Sequence, residues 1–260
     1  MNLRKYNLTL IVEEVKMMNQ SNVLLRLSAQ QALPQTTPGQ FVQVKVDDSP
    51  NTFLRRPISI NFVDEQNNEL WLLVQIKGEG TRHLAALKKG NQLDVILPLG
   101  NGFTTDVNKD ERVLLIGGGV GVAPLLQYGK YICKQGGQPI FLLGARTKDD
   151  LMELDLFRQF GQVFITTEDG SEGEKGFVTN HSLLNRADFS RISVCGPKPM
   201  MVAVAKYANA TRIPCEVSLE NMMACGLGAC LCCVEKTVKG NVCVCTEGPV
   251  FNINQLSWFD

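Results

Sequence analysis

The sequence predicts an α/β plus β protein in three parts: an N-terminal antiparallel β-barrel, a doubly wound parallel α/β domain and a small C-terminal module. Three observations carry this prediction. Short alternating segments separated by turn residues occupy residues 1–108, as in antiparallel barrels. In residues 109–212, apolar runs of strand length alternate with helical segments, which is typical of a parallel sheet covered on both faces. In residues 213–260, six of the nine cysteines cluster between positions 225 and 245, which indicates a metal-binding module.

Length, charge and cysteine usage narrow the class of protein. The 26 Lys and Arg residues balance the 26 Asp and Glu residues, so we expect no nucleic-acid partner. The longest apolar runs, such as residues 113–116, have only strand length, so we expect no membrane association. The N-terminal residues lack the apolar core of a signal peptide, and many cysteines without such a leader indicate a reducing compartment. We therefore expect a cytoplasmic protein.

The predicted barrel begins with a pair of strands at residues 7–12 and 23–27, joined by a turn at residues 19–22. Turn residues and alternating apolar positions continue through the rest of this part. They predict strands at residues 41–46, 57–62, 69–77 and 92–97, with a short helix at residues 80–87.

Two stretches of the barrel carry residues suited to a phosphate ligand. Arg56 stands at a strand entry whose backbone Pro57 restricts, and its guanidinium can grip a pyrophosphate through two hydrogen bonds. Ser59 can offer a hydroxyl or an N–H group to the edge of a ring. Gly80 and Thr81 lie at a predicted helix start, where free N–H groups can bind phosphate. Each stretch alone also fits an ordinary strand end or helix cap, so their order along the chain carries the argument.

A glycine-rich loop follows the first predicted parallel strand, residues 112–116. Its glycines stand at positions 117, 118, 119 and 121, and a helix with Pro124 in its first turn follows to about residue 134. The order of strand, glycine turn and helix favours a nucleotide site, although the spacing differs from the usual G-x-G-x-x-G.

The alternation of strands and helices continues to residue 209. Strands are expected at residues 139–143, 162–166 and 192–195, and helices at residues 151–160, 178–184 and 198–209. The third strand ends in a turn formed by Cys195, Gly196 and Pro197. Cys195 is interpreted either as a small buried residue or as a wall of a nicotinamide pocket. With only two histidines and no serine elbow, we assign no catalytic acid, base or nucleophile.

The cysteines of the C-terminal module follow the spacing C-x4-C-x2-C, with Cys225, Cys230 and Cys233, and eleven residues separate Cys233 from Cys245. These intervals are typical of a plant-type [2Fe–2S] loop, and Gly226 and Gly228 allow such a loop left-handed backbone angles. A four-cysteine structural zinc site is the alternative, although zinc ribbons usually pair their ligands as two C-x2-C units.

Two extra cysteines, Cys232 and Cys243, accompany this set. The intervals favour Cys233 over Cys232 as a ligand. Strand alternation over residues 242–245 predicts that Cys243 and Cys245 face opposite sides, so only Cys245 is expected at the cluster.

The motifs R-P-I-S, G-x-G-T, G-G-G-V-G-V-A-P, C-G-P and C-x4-C-x2-C-x11-C stand in this order along essentially the whole chain. In this order, and in the stretches at residues 218–230 and 245–251, the chain resembles the electron-transfer subunits of NAD-linked, type B dihydroorotate dehydrogenases, a branch of the ferredoxin reductase superfamily. The resemblance implies that residues 1–108 bind FAD, residues 109–212 bind NAD and residues 213–260 hold the cluster.

The resemblance also implies the residues of each site. FAD would be bound by Arg56, Pro57, Ile58, Ser59, Leu73, Val74, Gln75, Gly80 and Thr81. NAD would be bound by Gly117, Gly118, Gly119, Gly121, Cys195, Gly196 and Pro197. One [2Fe–2S] cluster would be ligated by Cys225, Cys230, Cys233 and Cys245.

Function follows from the same resemblance. A partner subunit carrying FMN would oxidise dihydroorotate, and electrons would pass through the cluster and FAD to NAD⁺ in pyrimidine biosynthesis, within a heterotetramer of two plus two subunits. One alternative is the small subunit of an NAD(P)H–ferredoxin or sulfide/polysulfide-type reductase. Another is a zinc-containing nucleotide-binding module without redox activity. NADP stays open, because Arg146 and Lys148 follow the second parallel strand where an acidic residue would favour NAD.

Overall fold

The strands of the described residues form two seven-stranded sheets and one two-stranded hairpin. The computed structural model describes residues 4–47, 49, 51–186 and 188–259. Among these residues, no helix combines the length and the apolar character that a membrane crossing requires.

The first sheet is antiparallel and forms a half-barrel. Its strands are β1 (Tyr6–Asn19), β2 (Asn22–Ser28), β3 (Phe41–Val44), β4 (Arg56–Ser59), β5 (Phe62–Asp64), β6 (Glu69–Gln75) and β7 (Gln92–Leu99), and helix α1 (Glu79–Ala85) lies between the last two. The strand order is β4-β3-β7-β1-β2-β6-β5. An antiparallel sheet of short strands is therefore confirmed.

One strand predicted for this sheet, residues 57–62, is in fact two. The chain pairs with β3 as far as Ser59 and then changes neighbour, because the N–H of Asn61 donates to Trp71 O at 3.0 Å in β6. A single strand cannot follow both neighbours, so β4 ends and β5 begins beside β6.

The second sheet is parallel except at one edge. Its strands include β8 (Arg112–Gly118), β9 (Gln138–Ala145), β10 (Gln162–Thr167), β11 (Glu174–Lys175), β12 (Arg191–Cys195) and β13 (Cys215–Ser218), and its helices are α2 (Ala123–Lys134), α3 (Leu154–Phe160) and α4 (Lys198–Thr211). Side chains of β8 alternate between two cores: Val113 and Leu115 pack with α2 and α3, and Leu114 and Ile116 pack with α4. Helices on both faces explain why this strand is apolar from Val113 onward.

The C-terminal segment adds β14 (Val234–Thr237), β15 (Gly240–Cys243), the helical turn α5 (Val244–Glu247) and β16 (Val250–Asn252). Strand β16 pairs antiparallel with β13, so the order of the second sheet is β11-β10-β9-β8-β12-β13-β16. Residues 219–233 have neither helix nor strand. The expected strand over residues 242–245 is wrong: β15 ends at Cys243, and Cys245 lies in α5.

The helix predicted at residues 178–184 is also wrong. The chain forms two short 3₁₀ turns, Val178–Asn180 and Ser182–Asn185, separated by the extended backbone of His181. Side chains take the hydrogen bonds that a helix needs, because Asn180 Oδ1 accepts from Phe177 N at 3.0 Å and His181 Nδ1 accepts from Leu183 N at 3.0 Å. Such local bonds compete with helix formation.

A buried hydrogen bond connects the two large sheets. Asn61, just after β4, donates through Nδ2 to Glu153 Oε1 at 2.8 Å, and Glu153 precedes α3 with a positive φ of 57°. Burial raises the pKa of the Glu153 carboxyl to about 7, although the Asn61 hydrogen bond and the charge of Lys16 act in the opposite direction. The carboxyl therefore sits where its ionised form is disfavoured.

Candidate cofactor sites

The first candidate site lies at β4 and the start of α1. A Cβ added to Gly80 would stand 2.8 Å from Arg56 Nε and 3.1 Å from Thr52 Cγ2, so the guanidinium lies directly against the first turn of α1. Arg56 also donates to Leu54 O at 2.7 Å, which holds its side chain in place. The structure thus brings together two predicted phosphate-binding residues that are 24 positions apart in the sequence.

The hydroxyl of Thr81 has a structural task in this turn. Thr81 Oγ1 accepts from Lys77 N at 2.9 Å and from Gly78 N at 3.0 Å. A phosphate here would therefore meet the Arg56 guanidinium and backbone N–H groups more readily than the Thr81 hydroxyl. The neighbouring residues Pro57, Ile58 and Ser59 are half-buried on β4, which forms one edge of its sheet.

The three predicted FAD residues on β6 point in different directions. Leu73 packs into the core that the half-barrel shares with the second sheet, which also contains Val122, and Val74 points into the half-barrel core. Gln75 is exposed and lines a cavity at the second sheet. Strand alternation explains this division, because successive side chains leave a strand on opposite faces.

The second candidate site is a cavity of about 620 Å³ at the carboxyl ends of the parallel strands. Residues of the predicted NAD site that line it are Gly118, Gly119, Gly121, Gly196 and Pro197. The two glycine turns touch through their backbones: a Cβ on Gly121 would stand 2.5 Å from Gly196 Cα and 2.6 Å from Cys195 O. Only glycine fits this approach, which is the geometry that a backbone cradle for a phosphate needs.

Gly117 and Cys195 pack in the protein core behind this cavity and do not line it. A Cβ on Gly117 would meet Val122 Cγ1 at 2.9 Å. Cys195 is 1% exposed and packs in the core with Val122. Burial raises the pKa of its thiol well above the usual range, so the thiol stays neutral.

Sequence reasoning did not single out Phe177 and Met200, which line the same cavity. They come from two separate segments without a shared motif. Burial raises the pKa of the Glu220 carboxyl, which the charge of Lys77 partly offsets.

The third candidate site is the cysteine loop, residues 221–233, together with Cys245. Backbone N–H groups point at its sulfur atoms: Leu227 N lies 3.3 Å from Cys225 Sγ, and Gly228 N lies 3.2 Å from Cys245 Sγ. Gly226 and Gly228 have positive φ angles of 68° and 84°, as the loop prediction required. Thiolates surrounded by N–H donors fit an iron–sulfur cluster, whose sulfur atoms accept such hydrogen bonds.

The thiols differ in their protonation. Partial burial raises the pKa of the Cys225 thiol, but backbone N–H donors led by Leu227 outweigh it and lower the pKa to about 6. Burial and the neighbouring Cys233 raise the pKa of Cys245 to about 12. The loop therefore already favours a thiolate at Cys225.

The loop brings the predicted ligands into one region without completing a ligand shell. Cys233 and Cys245 are each 2% exposed in one core, and the Cys245 N–H donates to Cys233 Sγ at 3.4 Å. Across the described parts of the chain, no three His, Cys, Asp or Glu side chains already stand at metal-ligand spacing. Cys232 is exposed.

Cys243 corrects one expectation. Burial and the neighbouring Cys233 raise the pKa of the Cys243 thiol, as they do for Cys245. Both side chains thus lie near Cys233, and the prediction that they face opposite sides is wrong. Residues two positions apart in a strand share a face, so strand alternation gave no ground for placing Cys243 and Cys245 on opposite sides.

The cysteine module lies against the half-barrel. Phe41 of β3 shares a core with Cys233, Val244 and Cys245. Asn101 Nδ2 donates to Thr246 O at 2.8 Å. Because β3 pairs with β4 over its whole length, the cysteine loop and the first candidate site lie on neighbouring strands.

Comparison with known protein families supports these sites. Residues 220–257 match the family described as the iron–sulfur cluster binding domain of dihydroorotate dehydrogenase B. Residues 115–206 match the oxidoreductase NAD-binding domain. The first match favours iron–sulfur over zinc at the cysteines.

Among solved structures, the chain is similar to one from a study of flavin-based electron bifurcation by an NADH-dependent reduced ferredoxin–NADP oxidoreductase. The TM-score is 0.85 at 27% identity, over 99% of this chain and 92% of that chain. The chain is also similar to a cytochrome P450 reductase from Amycolatopsis. The identity is 21% and the TM-score 0.69, over 80% of this chain and 67% of the reductase chain. These similarities confirm a ferredoxin reductase-like fold with a half-barrel and a parallel α/β sheet.

Curated relatives are more similar in sequence. A protein from Fusobacterium nucleatum subsp. nucleatum is 42% identical over 222 residues, which is 83% of this chain and 85% of that protein. One from Lysinibacillus sphaericus is 42% identical over 220 residues, with the same coverage. Both are named the electron transfer subunit of dihydroorotate dehydrogenase B (NAD(+)). The names support the resemblance to dihydroorotate dehydrogenase subunits over the alternative reductases. The chain belongs to the family of electron transfer subunits of NAD⁺-dependent dihydroorotate dehydrogenase B.

Proposed function

We propose that this chain carries electrons from an FMN-containing catalytic partner, which oxidises dihydroorotate, through a [2Fe–2S] cluster and FAD to NAD⁺ in pyrimidine biosynthesis. One observation carries the proposal: the three candidate sites adjoin one another around the half-barrel. The cysteine loop packs on β3, β3 pairs with β4, and Gln75 of β6 reaches the nucleotide cavity. Electrons can therefore cross the chain by short steps between neighbouring sites.

The three groups divide the chemistry, because the cluster carries single electrons, NAD⁺ takes a hydride, and FAD exchanges electrons with both. Dihydroorotate loses two electrons and two protons on becoming orotate, and NAD⁺ takes up two electrons and one proton, so one proton is released. In this proposal the chain contributes binding and positioning. The described residues near the sites offer no acid–base pair for a carbon substrate, which is why we assign that oxidation to the partner.

Phosphate binding is the first task of the chain. We assign the FAD pyrophosphate to the Arg56 guanidinium and the backbone at Gly80, since the two lie in contact. A charged fork beside free N–H groups can hold an anion by several hydrogen bonds at once. We assign the half-buried residues Pro57, Ile58 and Ser59 to the flavin, on the open edge strand beside this anchor.

Nucleotide binding is the second task. The glycine turns at Gly119, Gly121 and Gly196 line the cavity with backbone, which lets a dinucleotide approach closely. Arg146 and Glu168 lie at the same cavity on neighbouring strand ends. Glu168 follows the third parallel strand, and its carboxylate can accept a hydrogen bond from a ribose hydroxyl, while the match to the NAD-binding domain family supports NAD as the acceptor.

Partner docking is the third task, and exposed apolar side chains of the cysteine loop support it. Met222 is 85% exposed, Leu231 65% and Leu227 43%. Large apolar side chains that stand this far out of a loop are typical of an interface core. We propose that the catalytic subunit covers this surface, which would bring its FMN close to the cluster, in a heterotetramer of two plus two subunits located in the cytoplasm.

The decisive experiment is an anaerobic visible spectrum of the native complex, purified through a tag on this chain, before and after addition of dihydroorotate. We expect the flavin and iron–sulfur bands to bleach and to recover on addition of NAD⁺. Light scattering of the same sample measures the subunit stoichiometry.

Other outcomes separate the alternatives. Bleaching by NADH but not by dihydroorotate would contradict the pyrimidine assignment and support another NAD(P)H-linked reductase. A colourless protein containing zinc would contradict the redox function as a whole.

A further inference from the structure

The side-chain amide of Gln43 is an unusual feature of β3. Gln43 is 0% exposed, and within the described residues neither its Nε2 nor its Oε1 has a hydrogen-bond partner. A buried amide without partners is unfavourable, since it has given up its hydrogen bonds to water and gained none. A hydrogen-bond partner at the position to which the Gln43 amide points would remove this cost.

The amide points at the cysteine loop. A Cβ added to Gly226 would stand 2.7 Å from Gln43 Nε2 and 2.7 Å from its Cγ, so the loop backbone lies directly over the amide. Gly226 follows Cys225 and has a positive φ of 68°. Any larger residue at position 226 would fill the space around the amide, whereas glycine leaves it clear.

The surroundings of Gln43 also connect it with the flavin strand. Its cross-strand neighbour on β4 is Pro57, and its backbone carbonyl accepts from Arg55 Nη1 at 3.3 Å. The adjacent residues Val42 and Val44 point into the half-barrel core. Strand alternation therefore directs Gln43 away from that core and toward the cysteine module, between the two sites that exchange electrons.

We propose that Gln43 Nε2 donates a hydrogen bond to a sulfur atom of the cluster, either the Cys225 thiolate or a bridging sulfide, and thereby raises the reduction potential of the cluster. The inference rests on the proposed cluster ligation. A donor at sulfur stabilises the reduced cluster, which carries more negative charge, and hydrogen bonds to sulfur are among the features that set iron–sulfur potentials.

The test is a redox titration of the full chain with its cluster, followed by electron paramagnetic resonance, for the wild type and Gln43→Met. Methionine keeps the length of the side chain and removes the donor. At the midpoint potential of the wild type, we expect the ratio of reduced to oxidised cluster in Gln43→Met to fall about tenfold, which corresponds to about 59 mV for a one-electron couple.

Gln40→Met is the matched control. Gln40 is also buried, but its amide is fully used, since Oε1 accepts from Thr37 N at 2.7 Å and Nε2 donates to Gly100 O at 2.7 Å. We expect this variant to lower thermal stability and to leave the cluster potential unchanged. An equal fall in potential in both variants would overturn the proposal.

A spectroscopic measurement on the unsubstituted chain detects the hydrogen bond directly, and Gln43→Met serves to assign it. With ¹⁵N in the glutamine side-chain amides, electron–nuclear double resonance of the reduced cluster should show a nitrogen coupling that Gln43→Met abolishes. No such coupling, an unchanged potential, or a shift confined to the flavin bands would each overturn the inference. A wild-type chain without a [2Fe–2S] signal would contradict the proposed function as well.

Discussion

The glycine loop at residues 117–122 and the cysteine loop at residues 221–233 both offer backbone N–H groups to a cofactor, but they are held in different ways. The glycine loop lies between β8 and α2, and its Gly121 touches the backbone of Gly196. The cysteine loop has neither helix nor strand, and two of its N–H groups donate to sulfur atoms, those of Cys225 and Cys245. Packing therefore fixes the glycine loop before a nucleotide binds, whereas the cysteine loop needs the bound cluster to complete its arrangement.

The largest effect should come from the cysteine loop. We expect Cys230→Ser to abolish the [2Fe–2S] signal and electron exchange with the partner, because one of four ligands is lost, while FAD reduction by NADH continues. Iron content and electron paramagnetic resonance measure the first effect, and stopped-flow absorbance the second. Cys232→Ser is the matched control and should keep the cluster. Loss of the cluster in Cys232→Ser alone would reverse the assignment of these two residues.

The next largest effect should come from the phosphate anchor. Arg56→Ala removes a charge-assisted hydrogen bond, so we expect FAD affinity to fall by about 2–3 kcal/mol. Flavin retained after gel filtration measures this, with Arg158→Ala on the exposed side of α3 as a control for net charge. Full flavin content in Arg56→Ala would remove this residue from the FAD site.

The glycine loop should respond through the stability of the fold. In Gly121→Ala the new Cβ would stand 2.5 Å from Gly196 Cα, so we expect about 1–3 kcal/mol of destabilisation, together with weaker NADH binding. Gly119→Ala is the control for backbone strain, because a Cβ there meets nothing within 4 Å although φ is +55°. An unchanged stability in Gly121→Ala would contradict the close-packing argument, whatever Gly119→Ala loses through its positive φ.

The smallest effect concerns the contact between the two sheets. Because the pKa of Glu153 rises from 4.5 to about 7 on folding, its stabilising contribution is complete below pH 4.5 and is lost as the pH rises through 7. We expect Glu153→Gln to raise the free energy of unfolding by about 1 kcal/mol at pH 8, since ionisation is removed while a buried amide is added. At pH 4 the variant should gain nothing. Denaturant unfolding at both pH values tests this, and an equal gain at pH 4 would contradict it.

The strands and the cysteine spacing could be predicted from the sequence, whereas some of the turns could not. Period-two alternation and apolar runs located most strands of both sheets, because burial imposes those patterns directly. The spacing of Cys225, Cys230 and Cys233 indicated the cluster, since ligands on one loop must follow a fixed interval. The 3₁₀ turns around His181 could not be foreseen, because side-chain hydrogen bonds decided them.

Contacts between distant segments were beyond the reach of local patterns. The hydrogen bond between Asn61 and Glu153 spans 92 positions, and neither residue stands in a motif. Gln43 looked like an ordinary polar position of an alternating strand until the cysteine loop was found above it. Likewise, nothing in residues 250–252 showed that they return to β13, because a three-residue strand carries too little pattern to identify its partner.

The pairing of β13 with β16 makes the cysteine module an insertion. The chain leaves the second sheet at Ser218 and re-enters it at Val250, and these two residues are direct cross-strand neighbours. A short hairpin between them would close the sheet without the module. Since loop-closure free energy grows slowly with length, by about 0.6 kcal/mol per doubling, modules of various sizes fit the same gap. Evolution could therefore add, remove or exchange the cysteine module, with its proposed one-electron carrier, without changing the other two candidate sites.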